Sequence, residues 1–205
     1  MKTFWKYGIV IAFLVFSFIV IAQHHPPRCG KWRWNIKTLT DQQGSGLVTK
    51  IPVKSSIDEL VNEKPKNFLS STSHSDGQEP RTWGENQVVE IIAIVEKVKH
   101  ESDDSDFHLV LASPVSGTTM VGEIPDPACS TFDNFPQLRE LFSKTRQQGM
   151  KIWKKIKKTG TPQRVRITGV PFWDGVHPGN NPTGASKYCR EIHPILSIES
   201  SEVAK

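Results

Sequence analysis

The fold of this chain follows from residues 88–98, which read VVEIIAIVEKV. β-Branched residues fill most of this run, as is typical of a β-strand. Residues 107–112 (FHLVLA) keep apolar side chains at alternate positions, and residues 118–124 (TTMVGEI) follow a turn at residues 116–117. The sequence therefore predicts three consecutive strands with short connections.

The hydrophobic period changes over residues 134–158, where the spacing of apolar residues predicts a helix. These apolar positions are Phe135, Leu138, Leu141, Phe142, Ile152, Trp153 and Ile156, and Gly149 is a candidate break. Two further strands are predicted at residues 164–170 and 190–198. A loop rich in Gly, Pro and Asn, residues 174–186, separates them.

Three strands, a helix and two strands form the element order of an OB barrel, a five-stranded Greek-key barrel. A small α+β sandwich produces the same order. We predict a mainly β, α+β fold: an OB-like barrel over residues 87–199, with an N-terminal extension and loop over residues 23–86 and a tail over residues 200–205. Within the extension, Trp32 and Trp34 alternate with charged residues, as in a short strand.

Residues 1–22 differ in composition from the rest of the chain. Two lysines precede an uncharged apolar run over residues 8–22. A run of this length fits a signal peptide, whereas a membrane-spanning helix needs about 20 apolar residues. We therefore predict an exported protein, periplasmic or extracellular, with cleavage after Ala22. The alternative is an N-terminal membrane anchor over residues 4–22.

Charge is unevenly distributed along the 205 residues, which include 26 Lys and Arg against 21 Asp and Glu. Residues 81–133 hold three basic and ten acidic groups, whereas residues 137–168 hold ten basic groups and one acidic group. Cations alternate with apolar residues in the second segment, a pattern that favours contact with phosphates. We predict that Lys154, Lys155 and Arg166 bind a polyanion such as nucleic acid or an envelope glycan. The alternative is a solvated helix end.

Acidic residues and histidines recur at outward positions of the predicted strands. Because residues two apart on a strand share a face, Asp106 lies beside His108, and Glu191 lies beside His193. Glu123 is outward on the third strand, which an OB barrel places between the second and the fifth. The sequence therefore predicts one contiguous surface of carboxylates and imidazoles.

Carboxylates and imidazoles bind Zn²⁺, Mn²⁺ or Mg²⁺ and also act as general acids and bases. One hypothesis is a metal-dependent phosphodiesterase or nuclease in which the divalent metal ligands are Asp106, His108, Glu191 and His193. His177, on the loop between the last two strands, or Glu123 then handles the proton. The alternative is a solvated hairpin with cross-strand pairs, in which Asp103 and Asp104 are turn residues.

Three cysteines follow the predicted signal, which indicates one disulfide and one free thiol. Their spacing alone does not choose the pair. The chain has no G-x-S-x-G motif, no P-loop and no zinc-type cysteine pair, which argues against serine hydrolases, NTPases and zinc fingers.

Several blocks of the chain carry a resemblance to a known family. They are residues 34–41 (WNIKTLTD), 104–111 (DSDFHLVL), 123–129 (EIPDPAC), 168–174 (TGVPFWD) and 191–194 (EIHP). Together they resemble a family of uncharacterised, exported bacterial proteins with an OB-like fold. Its pattern runs K-T-x-T-D, D-x-D-x-H-L-V-L, E-I-P-D-P-x-C, T-G-V-x-F-F-D, H-G-Q and E-L-H-P. The chain departs from it at residues 177–179 (HPG) and at Cys189, where glycine is usual.

The resemblance implies that Cys29 pairs with Cys129, and the alternative pair is Cys129 with Cys189. It also adds Lys37, Thr38 and Asp41 as candidate ligand-binding residues. It implies no particular activity. We expect an exported binding domain for a polyanion, with the metal-dependent enzyme as the alternative. In a third, purely structural alternative, the acidic and histidine residues fasten the extension through Lys37 and Asp41.

Overall fold

The computed structural model describes residues 29–64, 79–175 and 183–201. Its strands are β1 (Val53–Lys54), β2 (Val89–His100), β3 (Phe107–Ala112), β4 (Thr119–Ile124), β5 (Gln163–Trp173) and β6 (Arg190–Ser200). Its helices are α1 (Trp34–Lys37), α2 (Gly44–Leu47), α3 (Ile57–Asn62) and α4 (Pro136–Thr159), with a 3₁₀ turn at Ser130–Phe132. Strands β2 to β6 match the five predicted strands in order.

Strands β2 to β6 close into a barrel in the order β2-β3-β4-β6-β5, and β5 pairs back onto β2. β4 and β6 run parallel, whereas the other neighbours in the barrel are antiparallel. β1 joins β2 as a sixth, parallel strand outside the barrel. The predicted mainly β, OB-like barrel with one long helix is confirmed.

The barrel interior is filled by alternate residues of its strands, as the two-residue period of a strand requires. Ile91 and Val95 of β2 belong to one buried cluster with Leu109 of β3, Ile167 of β5 and Ile195 of β6. Each buried aliphatic side chain of this size contributes about 1.5 to 3 kcal/mol. This cluster is therefore a main source of the stability of the fold.

Helix α4 lies against the barrel and is continuous through Gly149, so the candidate break there is wrong. A Cβ atom on Gly149 would lie 3.0 Å from Cδ1 of Ile124. Glycine is therefore present because the helix approaches β4 closely. The helix ends at Gly160, whose φ of 66° is left-handed and suits glycine.

The N-terminal extension starts with a short helix, so the strand predicted around Trp32 and Trp34 is wrong. Nε1 of Trp34 donates a hydrogen bond to Oγ1 of Thr131, at 2.9 Å. The Trp34 ring joins a second buried cluster with Phe132 and Phe142. Contacts with residues about 100 positions further along the chain thus override the local alternation.

Two strong links fasten the extension to the barrel. Cys29 and Cys129 form a disulfide with their Cα atoms 5.5 Å apart, which confirms the predicted pair. Cys189 is the free, buried thiol. Arg33 and Glu85, both in the extension, form an ion pair in which both side chains are fully buried, and both side chains hydrogen-bond to the backbone of Trp173 at the end of β5.

The predicted signal peptide, residues 1–22, and the predicted catalytic residue His177 lie outside the described residues. Within the described ranges, no helix is long and apolar enough to cross a membrane. The disulfide is consistent with an oxidising compartment, as expected for an exported protein.

Candidate metal centre

Three neighbouring strands carry the predicted acidic and histidine residues. His108 on β3 is the register partner of Glu123 on β4. β6 pairs in parallel with β4 at Glu191, and His193 lies two residues further along the same strand. Asp106 immediately precedes β3. The order of the strands therefore brings all five side chains together, as the topology argument predicted.

These five side chains are buried, although the sequence predicted an outward-facing surface. Asp106 and His193 are 0% exposed, and His108, Glu123 and Glu191 are at most 8% exposed. Their strands do turn them away from the barrel interior. The extension nevertheless covers this face, since residues 29–32 line the same cleft as His108 and Glu123.

His193 lies at the centre of the cluster. Its Nδ1 is 2.9 Å from Oε2 of Glu123 and 3.1 Å from Oε1 of Glu191. Its Nε2 is 3.3 Å from Oδ2 of Asp106. Both Nε2 and Oδ2 are buried, and neither makes a contact with hydrogen-bond geometry. The two atoms therefore face each other as an ion pair at the centre.

Hydrogen bonds hold the other atoms of the ligand candidates in place. Oδ1 of Asp106 accepts a hydrogen bond from the backbone N–H of Asp126, at 3.1 Å. Nδ1 of His108 is 2.9 Å from Oε1 of Glu123, and Nε2 of His108 is 3.1 Å from the carbonyl oxygen of Thr183. Both ring nitrogens of His108 thus face acceptors, an arrangement that favours the protonated imidazolium.

The ionisation of Glu123 and the two histidines is set by competition between burial and mutual attraction. Burial alone would raise the pKa of Glu123, but its contacts with His108 and His193 hold that pKa well below its ordinary value. Burial alone would lower the pKa of His193, but the carboxylates of Asp106, Glu123 and Glu191 hold it well above its ordinary value. The pKa of His108 is raised too, because Glu123 outweighs its burial.

The remaining carboxylates of the cluster are harder to ionise. Burial, reinforced by Asp106 and Glu123, raises the pKa of Asp104 to about 7. Burial, reinforced by Asp174 and Glu123, raises the pKa of Glu191 to about 7. Burial also raises the pKa of Asp106, against the attraction of His193. Crowded carboxylates of this kind are typical of sites that bind a cation.

A cleft of about 600 Å³ lies beside the cluster, and His108 and Glu123 are the two cluster residues that line it. Lys37, Asp104 and Asp174 line it too. The other lining residues are Cys29, Gly30, Lys31, Trp32, Trp34, Lys99, Glu101, Asp103 and Thr183. This volume is in the range of small-molecule binding sites in proteins.

The candidates Lys37, Thr38 and Asp41 have different environments. Lys37 lies in the cleft, with Nζ 3.5 Å from Oδ1 of Asp174. Thr38 is buried and donates to the carbonyl oxygen of Trp34, at 2.6 Å. Asp41 forms a two-point ion pair with Arg81, at 2.7 and 2.9 Å. Thr38 and Asp41 therefore hold the extension in place, whereas Lys37 faces the site.

The predicted polyanion-binding residues lie elsewhere. Lys154 and Lys155 are exposed on α4, and Arg166 is exposed on β5, with Nε 3.8 Å from Oε1 of Glu90. None of the three lines the cleft. Polyanion binding by these residues stays a prediction.

Two residues of the cleft are missing from the candidates chosen by sequence. Asp104 was interpreted as a turn residue, but it lies in the cleft and its Oδ1 accepts from the backbone N–H of Asp106, at 3.0 Å. Asp174 follows β5 and pairs with Lys37. The spacing of Asp104 and Asp106, two apart, was the available signal for the first. The available signal for Asp174 was its place in the block 168–174, one of the blocks that carry the family resemblance.

Within the described residues, one group of side chains can share an ion: Asp106, Glu123 and His193 each offer a ligand atom, and these atoms lie within 4.8 Å of one another. His108 and Glu191 contact members of this group and orient them.

No protein-family model, curated protein or solved structure matches this chain. The resemblance to the exported bacterial family therefore stays a prediction.

Proposed function

We propose that this protein is a metal-dependent hydrolase whose divalent ion is bound by Asp106, Glu123 and His193. The observation that carries the proposal is the convergence of one ligand atom each from Asp106, Glu123 and His193, all within 4.8 Å of one another. Oδ2 of Asp106 and Nε2 of His193 are buried and face each other in an ion pair that lacks hydrogen-bond geometry. Buried polar atoms rarely lack a good hydrogen bond without a functional reason, which supports a shared partner between them.

The separation of these atoms supports a metal ion as that partner. Zn²⁺ binds His nitrogen and carboxylate oxygen at about 2.0 to 2.2 Å, which in tetrahedral geometry places two ligand atoms about 3.4 Å apart. The measured separation is 3.3 Å. The mixed set of one imidazole and two carboxylates suits Zn²⁺ or Mn²⁺.

The balance of charge supports a cation as well. Five carboxylates lie in or beside the cluster: Asp104, Asp106, Glu123, Asp174 and Glu191. The cationic side chains that interact with them are Lys37 and Arg146. Arg190 interacts with Glu191 as well. A divalent ion would take the place of the protons that His108 and His193 hold in the metal-free cluster.

The number of protein ligands supports catalysis over a purely structural ion. Structural zinc sites have four protein ligands, whereas catalytic sites have three and keep a position for water or substrate. When bound, the ion supplies Lewis acidity and makes water easier to deprotonate. The chain's own residues provide the rest: Glu191 orients the ring of His193, and His108 fixes Glu123.

A purely structural role for the cluster fits the geometry less well. That alternative predicts hydrogen-bonded side chains and no remaining cavity. The contact between Oδ2 of Asp106 and Nε2 of His193 instead lacks hydrogen-bond geometry, and Glu123 lines a cleft of about 600 Å³.

Metal loading of the purified protein tests the proposal. After treatment with a chelator, titration with Zn²⁺ or Mn²⁺, followed by calorimetry and elemental analysis, is expected to give one ion per chain. We expect Asp106→Asn and His193→Gln to weaken binding by more than about 100-fold, because each removes a ligand. Glu191→Gln, which acts through His193, is expected to weaken binding about 10- to 100-fold.

His100→Gln is the matched control, since His100 is exposed at the end of β2 and belongs to no such group. Its metal affinity should equal that of the wild type. The stability of metal-free Asp106→Asn separates the two roles of the cluster. A structural ion pair predicts a loss of about 3 to 5 kcal/mol, whereas a metal centre predicts little loss, because the variant removes one of several crowded charges. Failure of the wild type to bind Zn²⁺, Mn²⁺ or Mg²⁺ contradicts the proposal.

We also propose that the chain is exported to the periplasm or the extracellular space after removal of residues 1–22. The apolar run at residues 8–22 and the Cys29–Cys129 disulfide support this location. N-terminal sequencing of the protein recovered from those compartments is expected to begin at Gln23. A chain that retains Met1 and sediments with membranes would instead indicate an anchor.

A further inference from the structure

We infer that the cleft binds a compact phosphate ester, with the Lys37 ammonium contacting the phosphate oxygens beside the metal ion. This inference rests on the proposed hydrolase function and adds the class of substrate. The contacts of Lys37, the rigidity of α1 and the charges around the cleft carry it.

Lys37 places hydrogen-bond donors in the cleft that the protein does not use. Its side chain is only 12% exposed, and Nζ is 3.5 Å from Oδ1 of Asp174. Within the described residues, Nζ makes no hydrogen bond, although an ammonium group has three donors. The rings of Phe172 and Trp32, centred 5.2 and 5.9 Å from Nζ, flank the charge without accepting those donors. A ligand with several acceptor oxygens would complete the coordination of the ammonium.

The same ammonium is electrostatically coupled to the proposed metal centre. Burial alone would lower the pKa of Lys37. Four nearby carboxylates outweigh that effect and raise the pKa above its ordinary value: Asp174, Glu191, Glu123 and Asp104. Lys37 therefore stays protonated. A fixed positive charge beside a divalent ion is the arrangement that binds phosphate oxygens and the charge that develops on them.

The segment that carries Lys37 is held rigidly before any ligand binds. Arg33, which precedes α1, donates two hydrogen bonds to the carboxylate of buried Glu85, at 2.9 and 2.5 Å. The Cys29–Cys129 disulfide fixes the start of the segment. Residues placed by such anchors bind their ligand with less loss of conformational entropy.

The cleft favours a small ester over a polymer. Its volume of about 600 Å³ is that of a small-molecule site. Its lining holds five carboxylates against three lysines, among them Lys37. A strand that carries several phosphates is therefore repelled more strongly than a single phosphate held at Lys37 and the proposed ion.

The reaction needs water as its only co-reactant. The oxygen of a water molecule forms a bond to phosphorus while the phosphorus–oxygen ester bond breaks. The attacking water gives up one proton, and the departing alkoxide takes up one proton, so nothing is oxidised or reduced. The charge on the phosphate oxygens changes as the ester bond breaks. Lys37 would stabilise that charge in the transition state and so lower the activation barrier of hydrolysis.

Phosphate binding by the metal-loaded protein tests the inference. Calorimetric titration with inorganic phosphate is expected to show one site per chain. Lys37→Met should weaken this binding about 10- to 100-fold, because it removes charge-assisted hydrogen bonds, while Lys37→Arg should recover part of it. The doubly substituted Lys154→Gln/Lys155→Gln protein is the matched control and should bind phosphate as the wild type does.

Elemental analysis of the same samples keeps the two proposals apart. Normal metal content without phosphate binding overturns the inference but leaves the metal centre intact, whereas absence of metal overturns the proposed function. Phosphate binding that survives Lys37→Met but is lost in Lys154→Gln/Lys155→Gln would place the anion on α4 and overturn the inference. If Lys37→Met does not fold, the conservative Lys37→Arg variant decides: hydrolysis of p-nitrophenyl phosphate must show a changed KM, and an unchanged KM contradicts the role of Lys37.

Discussion

Changing Glu85 to glutamine is expected to lower the free energy of unfolding by about 3 to 5 kcal/mol. Glu85 accepts two hydrogen bonds from Arg33, and both side chains are fully buried. It also accepts from the backbone N–H groups of Thr82 and Trp173, at 2.7 and 3.0 Å. Glutamine leaves the Arg33 guanidinium without a counter-charge and turns an amide N–H₂ towards other donors. Chemical denaturation monitored by circular dichroism measures the loss.

The ion pair of Arg139 with Asp133 is the matched control, because it has a similar separation of 2.5 Å but its side chains are 40% and 66% exposed. Asp133→Asn is expected to cost at most about 1 kcal/mol. Equal losses for the two variants would show that burial does not set the strength of these pairs, contrary to our argument. A large loss for Glu85→Gln alone would identify the Arg33–Glu85 pair as the main polar anchor of the extension.

Reduction of the Cys29–Cys129 disulfide is expected to lower the free energy of unfolding by about 4 to 5 kcal/mol. The bond joins residues 100 positions apart, and a closed loop of this length restricts the unfolded chain strongly. The measurement compares denaturation of the oxidised and the reduced protein. Because reduction changes no side-chain packing beyond the bond itself, the comparison isolates the cross-link.

Cys189→Ser provides the control for this experiment, since Cys189 is the free thiol. Serine in a buried position changes the absolute stability, but the difference between oxidised and reduced protein should stay the same. A difference that disappears in Cys189→Ser would show that the reduced protein is destabilised through Cys189 and not through loop closure. We further expect reduced protein to bind phosphate more weakly, because Cys29 and Trp32 line the cleft.

The barrel was predictable because the alternation of apolar and polar residues along each strand is a local feature of the sequence. The two-residue period of β2 and β3 fixes which side chains enter the interior, and the predicted strand order placed β4 between β3 and β6. His108, Glu123 and His193 therefore converge, as expected from strand parity and topology alone. The family resemblance contributed the Cys29–Cys129 pair, which residue spacing alone left open.

The covering of the site was not predictable from local patterns. Trp34 is helical because its indole packs against residues near position 131 and not because of its neighbours in the chain. Asp106 is fully buried, and two residues distant in sequence contact it, His193 of β6 and Asp126. Side-chain conformations decide which carboxylate oxygen faces which ring nitrogen. The sequence therefore did not predict that Glu123 contacts both His193 and His108.

The extension closes the face that OB barrels commonly use for binding, and this has a consequence for kinetics. Asp106 and His193 are fully buried, and Trp32 and Trp34 of the extension line the cleft beside Glu123. If the proposed ion binds there, its exchange depends on how readily the extension moves aside. The metal-loaded protein is therefore expected to release its ion slowly to an added chelator.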